Sequence, residues 1–136
     1  MKKSMYSLLA LTFLLLAANA FAGDIPDMKG TWVCDATVVA SVERGIYENQ
    51  SAKSTLVIEE QQGRVFTGHK TWVVKGKIFT EKIVGGIASD GEVYISEEND
   101  GQILGDLNKR GDSFVVFYVE SGPTAKVVEL TYKKAQ

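Results

Sequence analysis

The sequence predicts an all-β domain, an eight-stranded antiparallel up-and-down meander closed into a β-barrel, behind an N-terminal signal peptide. Three observations predict it. From Gly30 onward apolar residues recur with period two and are enriched in β-branched and aromatic types. Short turns rich in Gly and Asp punctuate that pattern at near-regular spacing. No segment beyond the N-terminal region shows a 3.6-residue period, so helix is minor or absent.

The signal comes first in the chain. Met1, Lys2 and Lys3 give a positive start, and an apolar run follows from Leu8 to Ala18. Ala20 and Ala22 then fit the small-residue pocket of a signal peptidase, which places the cut after Ala22. The run is shorter than the ~20 residues that cross a bilayer, so no membrane span is expected in the mature form. Cys34 lies too far beyond the cut to be a lipidated first residue. Residues 1–22 are thus read as an export signal and residues 23–136 as a single barrel domain, bound for a bacterial periplasm or for secretion.

Eight strands are expected in the mature chain, after a short leader from Gly23 to Lys29. The first runs from Thr31 to Val42 and the second from Ala52 to Glu60. Gln61-Gln62-Gly63 turns into the third, Arg64 to Val74. Lys75-Gly76 turns into the fourth, Lys77 to Ile87. Asp90-Gly91 supplies the positive φ of a tight primed turn before the fifth, Glu92 to Glu97. The sixth is Gln102 to Asn108, the seventh Ser113 to Glu120 and the eighth Thr124 to Lys133. Closure removes the sheet's edges, and eight strands enclose an interior that is either filled or holds one small ligand.

Some strands are apolar on both faces. Phe114, Val116 and Tyr118 share one face of the seventh strand, while Val115, Phe117 and Val119 share the other. A barrel requires only its inner face to be apolar. The second face therefore suggests a homo-oligomer or another covered surface.

Composition narrows the function classes. After cleavage 114 residues remain, 136 less 22, enough for one core. The single cysteine, Cys34, excludes an internal disulfide. Fifteen basic residues stand against 17 acidic ones, with no basic face, which argues against nucleic acid. His69 is the only histidine, so no Ser-His-Asp triad or His-rich metal site is expected around it, and it should face outward. No serine lies in a Gly-x-Ser-x-Gly context and no Gly-rich phosphate loop occurs. The acidic stretch Asp90, Glu92, Glu97, Glu98 and Asp100 lacks calcium-loop spacing and reads as turn chemistry and solubility. No catalytic residue, metal site or cofactor is assigned.

At Gly30-Thr31-Trp32 the chain resembles the calycin barrels, whose first strand opens on Gly-x-Trp. Leu56-Val57-Ile58, Gly63, Phe66-Thr67-Gly68, Gly85-Gly86-Ile87 and the Gly101 to Gly105 segment follow the order of the avidin and streptavidin branch. The resemblance implies the barrel fold and oligomerisation. It does not imply biotin binding. Cys34 stands where a polar biotin contact is expected, and Lys70 stands where a tyrosine is expected.

The pocket candidates are Trp32, Cys34, Phe66, Lys70, Trp72 and Tyr118. Trp32 is expected at the barrel floor. If Phe66 and Gly68 point inward, alternation carries Lys70 and Trp72 inward too. An inward lysine is costly unless paired or wet. It is therefore either an anionic-ligand contact near the mouth, or a solvated residue at a strand end or out of register. The leading expectation is an exported module that binds a small apolar or amphipathic molecule in the barrel. The alternatives are an interaction protein assembling through its outer faces and, less favoured, an eight-stranded outer-membrane barrel.

Overall fold

A computed structural model describes residues 24–34, 37–49, 53–99 and 101–136. The expected signal peptide lies outside these residues, as do Ala52, at the start of the expected second strand, and Asp100. The described chain is all-β, with ten strands and no helix. They are β1 (Gly30–Cys34), β2 (Thr37–Ser41), β3 (Gly45–Asn49), β4 (Ser54–Gln62), β5 (Val65–Val74), β6 (Lys77–Ile87), β7 (Glu92–Glu97), β8 (Gln102–Leu107), β9 (Ser113–Glu120) and β10 (Lys126–Lys134).

Eight of them close a ring. Antiparallel pairing runs from β1 to β4, then in chain order to β10, and β10 returns to β1. This is the expected closed eight-stranded antiparallel barrel, of the kind seen in calycin-like folds. The count holds although the strand list differs. The expected first strand is split into β1 and β2, both paired to β10, and the register slips by one residue between Trp32↔Lys134 and Thr37↔Leu130. β3 falls where the sequence reading left a connection. It hairpins back onto β2 through Ser41↔Gly45 and has no other partner strand among the described residues. Its side chains are mostly exposed, so no burial imprints a period on its sequence.

Turn chemistry explains two further differences. The two-residue primed turn is at Lys75-Gly76, where φ is 50° and 75°. At Asp90-Gly91 only the glycine has positive φ, and a four-residue loop forms instead. There Ala88 N–H donates to Glu92 O, and Asp90 Oδ1 accepts from Glu92 N–H. Gln61 and Gln62 belong to β4 rather than to a turn. A bulge at Glu59 shifts the β4–β5 register, so the strand continues to Gln62.

The barrel interior is packed. Leu56, Ile58, Phe66, Ile83, Ile95, Ile103, Phe114, Val116, Leu130 and Tyr132 form one buried apolar cluster. Trp32 closes its lower end, fully buried, against Phe114 at 4.7 Å between ring centroids. The leader does more than the sequence suggested. Met28 is fully buried beneath Trp32, accepts its indole N–H at 2.8 Å, and donates its own N–H to Gln61 Oε1 at 2.7 Å. Satisfying both polar groups lets the plug be dry.

Alternation decides what lies outside. Val115 and Phe117 of β9 face outward, each 46 % exposed, as the two-faced pattern implied. Phe117 sits beside Leu104 of β8, and Leu104 beside Tyr94 of β7, in one cross-strand row. An open groove of about 1110 Å³ runs beside this row on the outer wall, lined by Val65, Thr67, Val84, Tyr94, Gln102 and Leu104 among others.

Candidate functional site at the barrel mouth

The two ends of the barrel differ in chemistry. One end carries the Met28 plug. The other is bounded by the β2–β3, β5–β6, β7–β8 and β9–β10 turns, because successive strands alternate in direction. Here the inward positions turn from apolar to charged. On β5 the inward series Phe66, Gly68 ends in Lys70 and Trp72. On β6 the series Ile87, Gly85, Ile83 ends in Glu81. On β7, Val93 and Ile95 lead to Glu97.

Lys70 therefore points inward, as alternation required, and it is neither solvated nor out of register. Its ammonium forms an ion pair with Glu97, and the two side chains are only 9 % and 2 % exposed. The pairing meets the condition for burying charge. The same ammonium lies 4.6 Å from the Tyr118 ring centroid and 4.9 Å from that of Trp72. Both distances suit cation–π attraction.

A second acid completes the cluster. Glu81 is buried, accepts from Asn99 Nδ2 at 2.9 Å, and shares a hydrogen bond with Glu97. Two carboxyl groups so close disfavour each other's charged form. Burial, with Glu81 alongside, pushes Glu97 up to about 7 against the pull of Lys70. Burial also raises Glu81, but the hydrogen bonds from Glu97 and Asn99 and the Lys70 charge outweigh it, leaving Glu81 below the ordinary range. Below about 7 Glu97 is protonated and Glu81 balances the Lys70 charge, whereas above it Glu97 is the charged partner of Lys70.

The rim continues the pattern. Tyr118 donates its hydroxyl to Glu120 at 3.0 Å, and Lys126 pairs with Glu120 at 2.6 Å. Val128, beside Tyr118 on one side and Val39 on the other, supplies an apolar wall. The backbone keeps close to the cluster at Gly101, where a Cβ would fall 2.3 Å from Glu97 Oε2 and 2.4 Å from Tyr118 Cε2.

Of the six sequence candidates, Lys70, Trp72 and Tyr118 come together at this mouth. Trp32 and Phe66 do not join them, and Cys34 lies two strands from Trp72 in one inward row through Ser54. Trp32 and Phe66 belong to the packed core, and Cys34 is buried close to Tyr132, whose hydroxyl pairs with Ser54 at 2.7 Å. His69 faces outward as expected and meets Glu59 at 3.1 Å. Sequence reasoning missed Glu81, Glu97 and Asn99. The signal was present, since alternation from Ile83 and Ile95 carries both glutamates inward.

The cluster makes stability fall as pH rises through neutrality. Between the ordinary carboxyl value of 4.5 and about 7, the folded protein keeps the Glu97 proton that the unfolded chain has lost. Glu81 acts oppositely, but its window lies below 4.5. Thermal unfolding should thus show a midpoint a few degrees higher at about pH 5.5 than at about pH 7.5, on the order of 1 kcal/mol. Glu97→Gln should flatten the difference. A wild-type midpoint that rises across this interval would contradict the assignment.

Comparison with protein-family profiles and with curated proteins finds no match to this chain.

Proposed function

We propose that the mature domain is an exported binding module, and that it takes a small amphipathic molecule at the barrel mouth. The observation that carries this reading is the convergence of Lys70, Trp72 and Tyr118 around the buried carboxyls of Glu97 and Glu81. Aromatic faces with a few convergent polar groups and perturbed titration mark a binding site by their chemistry. The apolar body of a ligand would lie against Trp72, Tyr118 and Val128. Its anionic end would replace the Glu97 carboxylate on Lys70, with Glu97 taking up a proton.

The packed lower core supports a site at the mouth rather than a deep lumen. Export and cleavage after Ala22 belong to this reading, as does kinship with the avidin-like branch, which rests on Gly30-Thr31-Trp32 and Phe66-Thr67-Gly68. Outward Lys82, Asp106 and Glu129 weigh against a wall facing lipid, because an outer-membrane barrel is apolar outside and polar within.

Equilibrium uptake of an anionic amphipathic dye by the mature protein, with competition by unlabelled amphiphiles, tests the proposal. Saturable uptake that Trp72→Ala weakens is the expected outcome. No uptake, or uptake indifferent to Trp72, would sink it. A second reading, self-association through the outer wall, is favoured by the Tyr94–Leu104–Phe117 row. A sedimentation coefficient that stays monomeric at micromolar concentration counts against that reading.

A further inference from the structure

The β5–β6 hairpin runs on past the barrel wall. Among the described residues, β4 pairs with β5 only as far as Trp72, and β7 pairs with β6 only from Ile83 onward. Residues Val73 to Thr80 are therefore a two-stranded projection, held by Trp72↔Phe79, Val73↔Ile78 and Val74↔Lys77. Two strands alone are marginal in water. This pair is apolar on both faces. Trp72 and Phe79 stack on one side at 5.6 Å, and Val73 pairs with Ile78 on the other. Phe79, Val73, Val74 and Ile78 remain exposed, Ile78 by 72 %. Core packing does not account for four large apolar side chains on a free hairpin, and such a patch marks a contact surface.

Charge selects the partner. From Thr71 to Thr80 the chain has two lysines, Lys75 and Lys77, and no acid. Both lysines are exposed and neither belongs to an ion pair of the described residues. Apolar and aromatic side chains at a tip, flanked by lysines, suit a lipid surface with anionic headgroups. There the rings sit at headgroup level and each lysine adds electrostatic attraction. The β2–β3 tip, at the same end of the barrel on the far side of β10, β1 and β4, carries exposed Val42 and Ile46 with Glu43 and Arg44 between them. The free edge of β6 limits the depth, because unpaired backbone groups are not tolerated in hydrocarbon.

We propose that the tip from Val73 to Phe79 docks shallowly on an anionic lipid surface and holds the barrel mouth against it. The proposal stands independently of what the mouth binds.

Flotation of the mature protein with phosphatidylcholine vesicles, and with vesicles that also contain phosphatidylglycerol, tests it. Of the two tryptophans Trp32 is buried, so a blue shift in emission reports Trp72. Binding should require phosphatidylglycerol, weaken with salt and shift the emission. Lys75→Glu with Lys77→Glu should lower partitioning on the order of tenfold or more. Val73→Ser with Ile78→Ser should abolish the blue shift while circular dichroism stays that of the folded barrel. No binding at low salt, or binding that both double variants retain, would overturn the proposal. So would self-association lost in these variants without any vesicle binding, which would assign the tip to a second copy of the chain.

Discussion

Lys70→Ala is expected to destabilise the domain by about 3–5 kcal/mol at neutral pH, the usual loss when one partner of a buried ion pair is removed. The cause is what stays behind. Without the ammonium, Glu97 and Glu81 face each other in a site nearly closed to solvent. Trp72 and Tyr118 lose the charge they flank. Glu97 offers a partial escape, because it already holds its proton up to about 7. The loss should therefore shrink on acidification. The pair also need not be better than an apolar one of similar volume, so Lys70→Met with Glu97→Leu should recover most of the stability. Urea unfolding of the three proteins measures all of this. A loss below about 1 kcal/mol in the single variant would mean that Lys70 is a solvated surface lysine.

Gly105→Ala and Gly68→Ala should each cost about 3 kcal/mol or more and lower the yield of soluble protein. A Cβ at Gly105 would lie 2.0 Å from Val115 O and 2.6 Å from Val116 Cα. At Gly68 it would lie 1.9 Å from Val57 O. Those neighbours are backbone of the adjacent strand, and they move only if the ladder opens. Gly122→Ala is the control. That glycine has a φ of 98° but open space around it, so only conformational strain of about 1–2 kcal/mol is expected. Equal effects at all three positions would show that the close approaches of β4 to β5 and of β8 to β9 are not real constraints.

These two sites also show how far the residues alone carry the structure. Period-two patterning was enough for eight strands and closure, because each wall strand buries one face and registers it in the sequence. β3 escaped because it buries little. Gly68 and Gly105 were visible as punctuation, but the crowding that demands them is set by neighbouring strands. Lys70 was placed inward by alternation from Phe66 and Gly68. The same rule applied to Val93 and Ile95 carries Glu97 inward. That glutamate instead read as part of a solvated acidic turn, because its neighbours Glu98 and Asp100 are acidic. A buried lysine demands an acid on a facing strand, and the demand points to Glu97. Which strands face each other across the mouth is a property of the closed barrel, and no local pattern contains it.

On the proposed reading, binding chemistry sits at the charged mouth and not in the packed core or on the outer wall. Amide and side-chain NMR of the mature domain, titrated with the anionic amphipathic dye, tests it most directly. Shifts should centre on Lys70, Trp72, Glu97 and Tyr118, and above about pH 7 the Glu97 carboxyl should gain a proton as the dye saturates. Shifts centred on Tyr94, Leu104 and Phe117, with the mouth unchanged, would contradict it.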